Sequence, residues 1–237
     1  MAPNAQLKNA FRLITFDVYS ALLDINQGLS EALSNATKLP IETVLPAAQV
    51  WRVKQMERAA ASNSLSAART SFRDCTRQAL RYTNQRFSLG LDDASQESLV
   101  FAWDTLPLWP EANDAVTHCK NAGYDIAILS NGDQDMLEAV SRLFDTPFDY
   151  VLSSEAAGVY KPHPSVYALP RNELGVAAED TLHVAGGHTD VLGAVRFGLP
   201  CVWSMKNECV LLDSDVPPTY TIPNLEGLPE LLKTLTS

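Results

Sequence analysis

Five short segments, rich in β-branched and aromatic residues and apolar almost throughout, recur along the chain at residues 12–18 (RLITFDV), 124–130 (YDIAILS), 148–153, 181–185 (TLHVA) and 201–205. Strands that are apolar on both faces belong in the interior of a sheet covered on both sides. Helical periodicity separates them, at residues 111–121, 133–143, 164–173, 190–197 and 225–235. Alternation of this kind predicts an α/β fold with a doubly wound, mostly parallel sheet.

Between the first and second of these segments the alternation stops. Helices are expected to begin near Ile25, Ile41, Arg69 and Ala94, and residues 50–63 carry the i, i+3, i+4 apolar spacing of an amphipathic helix. The expected organisation is therefore a sheet domain built from residues 1–23 and 104–237, with residues 24–103 as a helical insertion after the first strand. Charge divides along the same line. Residues 24–100 hold nine Lys and Arg against eight Asp and Glu, leaving nine against twenty for the remainder. Within the insertion Arg69, Arg73, Arg77 and Arg81 recur every four residues as one basic stripe. A solvated face is the ordinary reading of such a stripe, and anion recruitment the alternative.

Several function classes drop out. The formal charge of −10 repels a phosphate backbone, so nucleic acid is not an expected partner. No apolar run approaches the roughly eighteen residues of a membrane span, and no membrane partner is expected. Cys75, Cys119, Cys201 and Cys209 show neither Cys-x-x-Cys nor zinc spacing, and read as reduced and mostly buried. The N-terminus lacks the continuous apolar region of a secretory leader, so a cytoplasmic location is the default expectation.

In an open parallel sheet, ligands sit beyond the carboxyl ends of the strands. Polar residues crowd there. Asp17 and Tyr19 follow the first strand, Ser130 and Asn131 end the second, Lys161 and His163 lie in a Lys-Pro-His-Pro loop, and Gly186, Gly187, His188, Thr189 and Asp190 follow the fourth. Singly, each has a plain explanation as a cap, a turn or a surface charge. Together, and in this order, they point to one site.

On FDVYSALLD (16–24), WRVKQ (51–55), ILSNG (128–132), VYKPHPSVY (159–167) and the Asp190 loop leading into GAVRFGLPCVW (193–203), the chain resembles the haloacid dehalogenase superfamily, and within it the 2-haloacid dehalogenase type. The resemblance spans nearly the whole length. It implies a Rossmann-like core, a helical cap inserted after the first strand, a site between them, a small-molecule substrate, no metal or organic cofactor, and a homodimer. Residue by residue, it makes Asp17 the nucleophile that displaces a group from carbon to form an ester, and Lys161 the cation that holds Asp17 ionised and oriented. It makes Arg52 the receptor for the substrate anion or leaving halide, Ser130 and Asn131 hydrogen-bonding partners, Tyr19 and Tyr167 walls of the site, and Asp190 the carboxylate that positions Lys161 and water. Trp51, Met56, Phe72 and Trp103 are candidates for shaping the cleft. A phosphatase is disfavoured, because the position two residues after Asp17 holds Tyr19 rather than an acid and the Ala185-Gly186-Gly187 loop offers no second carboxylate for Mg²⁺.

The chain also departs from the dehalogenase pattern, and the departures fall on the hydrolytic half of the reaction. Ala21 stands where the family usually has threonine. Ala185 and Gly187 replace a serine and an asparagine that hold water and the ester carbonyl, and Thr189 replaces a tryptophan near the halide. His188 either activates water in their place or faces solvent. His163 is expected to be peripheral, and His118 and His183 structural. Three readings follow: a hydrolase of dehalogenase type, a non-hydrolytic acid/base enzyme that opens or rearranges an epoxide in secondary metabolism, and a binding-only pseudoenzyme.

Overall fold

A computed structural model describes residues 11–65 and 68–235. The first ten residues, read above for a leader, lie outside the described residues, as do the two ends of the expected sheet domain. The elements run β1 (Leu13–Phe16), a π-helical turn (Val18–Leu22), α1 (Ile25–Thr37), α2 (Ile41–Leu65), α3 (Phe72–Phe87), α4 (Asp93–Phe101), α5 (Ala112–Asn121), β2 (Asp125–Ser130), α6 (Gln134–Ser141), β3 (Tyr150–Ser153), α7 (Ser154–Ala157), α8 (Pro164–Tyr167), α9 (Leu169–Leu174), β4 (Thr181–Ala185), α10 (His188–Phe197), β5 (Cys201–Ser204), β6 (Tyr220–Ile222) and α11 (Leu228–Leu235). All six strands pair in parallel, in the order β3-β2-β1-β4-β5-β6.

Side-chain alternation along the strands builds two cores. Ile14, Phe16, Ile126, Ile128, Leu182, Val184 and Val202 pack with α5, α6 and α11. Leu13, Ala127, Leu129, Ala185, Cys201 and Trp203 pack with α8, α9 and α10 on the opposite face. The expected doubly wound sheet is observed. From β1 the order runs outward through β2 and β3 on one side and through β4 to β6 on the other, so the crevice of the sheet opens above the ends of β1 and β4.

The helices α1 to α4 are inserted between β1 and α5, and the chain that leaves and re-enters is pinned by a bridge between Leu23 and Leu108. Buried aromatic rings join the insertion to the turn after β1. Tyr19 stacks on Phe72 at 5.6 Å and meets Trp103 edge-on at 5.5 Å, and Trp103 meets Trp51 at 5.7 Å. Polar contacts fasten one side. Asp133 accepts the backbone N–H groups of Phe72 and Arg73 at the start of α3, at 2.8 and 2.9 Å, where a helix N-terminus favours an anion. Asn63 exchanges hydrogen bonds with the backbone of Tyr160, and Tyr160 donates its hydroxyl to Thr70 O.

Three expectations need correction. The arginine stripe is neither a solvated face nor an anion lure over most of its length. Arg69 pairs with Asp133 at 2.7 Å, Arg73 with Asp104 and Asp135, and Arg77 with Glu97 and Asp74, while Arg81 alone is exposed. The helix expected from Arg69 starts at Phe72, because Ser71 caps it by accepting from Asp74 N–H. The helix expected over 164–173 breaks at Ala168 into α8 and α9, since Pro170 has no N–H to carry a helical ladder through that point.

Candidate active site

Asp17 follows the last residue of β1 and caps the π-helical turn. Its N–H donates to Val184 O on the neighbouring strand, so the crevice itself fixes the backbone. The carboxylate is buried and fully engaged. Oδ2 accepts Ser20 N–H at 2.8 Å and Ser20 Oγ–H at 2.5 Å, and Oδ1 accepts Ser130 Oγ–H at 2.9 Å and Lys161 Nζ–H at 3.2 Å. Ser130 Oγ also accepts Val18 N–H at 3.2 Å, which couples the end of β2 to the turn that carries Asp17. Close packing sets the other wall. A Cβ at Gly186 would lie 2.0 Å from Ser20 O, so the loop after β4 reaches this turn only with glycine at 186.

Lys161 bridges two carboxylates, Asp17 and, at 2.9 Å, Asp190. Burial opposes the ammonium, but Asp190 and then Asp17 outweigh it and hold Lys161 above the ordinary lysine value. Burial likewise opposes the Asp190 carboxylate, yet Lys161 and His183 keep it well below the usual range. Asp190 Oδ1 accepts Tyr167 Oη–H at 2.8 Å, and Oδ2 receives Lys161 and His183 Nε2, the latter at 3.0 Å. His183 stands beside Thr15 in register on adjacent strands, and Thr15 Oγ1 meets its Nδ1 at 2.8 Å. Thr15 Oγ1 at Nδ1, and Asp190 Oδ2 with Lys161 Nζ (3.3 Å) at Nε2, fix the plane of the His183 ring. Asn131 Oδ1 accepts Lys161 N–H at 2.8 Å, placing the lysine backbone over the end of β2.

Arg52 enters from α2. Its Nη1 donates to Gln55 Oε1 at 2.6 Å, and Gln55 donates in turn to Thr76 Oγ1. The guanidinium lies over the rings of Tyr19 and Trp103 at 5.8 and 5.6 Å. Among the described residues no carboxylate pairs with it, so its charge is available to an anion in the cleft. Tyr19 is buried and its hydroxyl has no hydrogen-bond partner among the described residues. Burial, with Asp104 adding, pushes that phenol far up, so it remains a donor.

A cavity of about 170 Å³ brings these groups together. Its lining includes Asp17, Tyr19, Ser20, Arg52, Met56, Asn131, Lys161, Gly187, His188, Thr189, Asp190 and Glu208. A larger, more open cavity of about 410 Å³ shares Tyr19, Ser20, Arg52, Gly187, His188 and Glu208 with it and leads outward past Asn26, Val53 and Asn207. Seven of the nine site residues singled out from the sequence thus line one cavity, and Ser130 stands directly behind Asp17. Tyr167 does not line it. That tyrosine lies beneath Asp190, where a Cβ at Gly193 would strike its hydroxyl at 2.4 Å. Of the four cleft-shaping candidates Met56 lines the cavity, whereas Trp51, Phe72 and Trp103 are fully buried in the aromatic cluster. His163 is an exposed helix cap, as expected. His183 was expected to be merely structural, but it holds Asp190 from below. Ser20 and Glu208 were missed: the first lies inside FDVYSALLD with no role assigned to it, and the second lies on the loop after β5 and meets His188 only through the fold. Among the described residues no group of three or more His, Cys, Asp and Glu side chains is placed to share a metal ion, and no helix is long and apolar enough to cross a membrane.

Residues 11–198 match the haloacid dehalogenase-like hydrolase family. The chain belongs to that family. Within it, the chain is 30% identical over 219 residues to an (S)-2-haloacid dehalogenase of Pseudomonas putida, covering 90% of this chain and 92% of that one. It is 35% identical over 190 residues to the (S)-2-haloacid dehalogenase of Xanthobacter autotrophicus, covering 79% and 72%. The solved structure of L-2-haloacid dehalogenase from Xanthobacter autotrophicus superposes with a TM-score of 0.82 at 27% identity, over 94% of this chain and 98% of that one. A second structure of that enzyme, with chloropropionic acid covalently bound, also superposes at 0.82 with 28% identity. This haloacid dehalogenase-like hydrolase is therefore an enzyme of the 2-haloacid dehalogenase type.

Proposed function

We propose that the protein displaces halide from a short 2-haloacid through a covalent ester on Asp17. The observation that carries this reading is the Asp17 carboxylate itself, buried at the floor of the cavity, braced on both oxygens, and sharing that cavity with the Arg52 guanidinium, which pairs with no carboxylate among the described residues. A carboxylate out of bulk water and held in one orientation is a competent nucleophile toward carbon. An Asp17 oxygen forms a bond to Cα as the carbon–halogen bond breaks, and the halide leaves with the electron pair. Arg52 receives the substrate carboxylate or the departing halide, with the insertion of residues 24–103 acting as a cap over the site. Water then attacks the Asp17 carbonyl carbon, releasing a 2-hydroxy acid and restoring the carboxylate. Back-side displacement inverts Cα, so (S)-2-chloropropionate gives (R)-lactate. The test is halide release from (S)-2-chloropropionate by the wild type and Asp17→Asn. Release by the wild type alone is expected, and equal release by both proteins overturns the reading.

One observation favours a second reading. Ala185, Gly186 and Gly187 bring no polar side chain to the ester position, while the Tyr19 phenol is a buried donor without a partner among the described residues. That set of groups also suits acid-assisted opening of an epoxide without water. Turnover of an epoxide with no oxygen incorporated from labelled water supports the second reading, and a labelled diol as the sole product counts against it.

A further inference from the structure

We infer that His188 and Glu208 form the water-activating pair of this enzyme, with His188 the base and Glu208 its positioning residue. The inference rests on the displacement reading above, because it concerns the second half of that reaction. His188 is the first residue of α10 and lines the same small cavity as Asp17. Its Nδ1 is paired with Glu208, and Oε2 of the same carboxylate faces His188 N–H at 3.4 Å. Two contacts from one carboxylate hold the ring and its backbone together. A carboxylate on Nδ1 keeps the proton there and leaves Nε2 as an acceptor, and it stabilises the imidazolium that forms when Nε2 takes a proton. Both side chains are about one-third exposed, so water reaches them.

The other titratable groups around the cavity are committed elsewhere. Asp17 is the esterified group at this stage. Lys161 and Arg52 are cations, and the Tyr19 phenol holds its proton. Asp190 accepts from Tyr167, Lys161 and His183 at once and is held well below the ordinary carboxylate range, which makes it a weak base. His188 is the remaining group with a free acceptor. Space for a water beside it comes from Gly187, where an added Cβ would meet only the Ser20 side chain, at 3.6 Å or more.

The step balances as follows. Water oxygen bonds to the carbonyl carbon of the Asp17 ester as His188 Nε2 takes a water proton. Collapse of the tetrahedral adduct breaks the bond between that carbon and the alkyl oxygen, and the departing alkoxide takes the proton back from His188. Asp17 is left with one oxygen from water and loses its remaining proton to solvent. Lys161 and Ser130 face Oδ1 and Ser20 faces Oδ2, so whichever oxygen is left as the ester carbonyl has donors where charge builds.

Quenched-flow intact-protein mass spectrometry with 2-chloropropionate separates the two half-reactions, read on wild type, His188→Gln, Glu208→Gln and Glu208→Asp. The expected result is ester formation within about twofold of wild type throughout, with ester breakdown slowed about 10²-fold in His188→Gln and about tenfold in Glu208→Gln, and partly restored in Glu208→Asp. Unchanged breakdown in either of the first two variants overturns the pair. Equal slowing of both half-reactions also overturns it, because a structural defect moves both. No ester and no halide with the wild type overturns the displacement reading, and the pair with it.

Discussion

Ser20 Oγ lies 2.5 Å from Asp17 Oδ2, so a hydroxyl three residues after Asp17 braces its carboxylate. The π-helical turn makes this possible, because it brings Ser20 N–H and Oγ–H onto the same oxygen. Ser20→Ala removes an orienting contact from a half-buried residue, and orientation errors near a reacting atom are costly. Its kcat is expected to fall about tenfold, with KM and the melting temperature little changed. A kcat within twofold of wild type contradicts this account of Ser20.

The adjacent glycines make opposite predictions. An alanine Cβ at 186 meets Ser20 O at 2.0 Å, whereas one at 187 finds ordinary contact at 3.6 Å, and Gly187 has a φ of −115° that any residue adopts. Forcing the backbone apart costs about 1–3 kcal/mol, or roughly 2–12 °C in a chain of this size. Thermal melts should show Gly186→Ala destabilised on that scale and Gly187→Ala within about 2 °C of wild type. Equal stability of the two variants contradicts the close approach at 186.

Arg52 is held by Gln55 and two aromatic rings and pairs with no carboxylate among the described residues. A charge-assisted contact to a substrate anion contributes about 1.5–3 kcal/mol, so Arg52→Gln should raise KM by roughly 10- to 10²-fold. Arg52→Lys should restore part of this but not all, since it loses the planar fork of donors. An unaltered KM in Arg52→Gln contradicts the anion-receiving role.

Lys161 between Asp17 and Asp190 is a stability element as well as a part of the proposed site. Lys161→Met leaves two buried carboxylates without their cation, at a cost of about 3–5 kcal/mol. The pH dependence follows from the directions of the shifts. The Asp190 pKa is lowered by folding, so its contribution is present above the unfolded value of about 3.9 and is lost as pH falls below it. The Lys161 pKa is raised, so its contribution is complete below about 10.4 and is lost as pH rises through the folded value. Denaturant midpoints should therefore show a loss of stability on the acid side of about pH 4 that is smaller in Lys161→Met. Identical acid limbs in the two proteins contradict the coupling.

Much of this was legible in the chain because parallel strands buried on both faces read as continuous apolar runs. Residues 181–185 and β4 coincide, and β1, β2, β3 and β5 fall inside their expected segments. β6 was not legible: three residues at the sheet edge between prolines carry no periodicity. The site was legible where residues sit at strand ends, as Asp17, Ser130 and Asn131 do, and where a distinctive loop carries one, as the Lys-Pro-His-Pro loop carries Lys161. It was not legible where tertiary packing chooses the partner. His183 looked like strand filling, but register places it beside Thr15 and under Asp190. Glu208 reaches His188 from twenty positions along the chain, across the loop after β5.

The covalent role of Asp17 is tested most directly by a single turnover of 2-chloropropionate in ¹⁸O-water with enzyme in excess, followed by peptide mass analysis. Attack of water on the ester carbonyl puts the heavy oxygen into the peptide that contains Asp17, while the 2-hydroxy acid carries an ordinary oxygen taken from the carboxylate. Heavy oxygen found in the product, with none in the Asp17 peptide, would mean that water attacks Cα directly and would contradict the account.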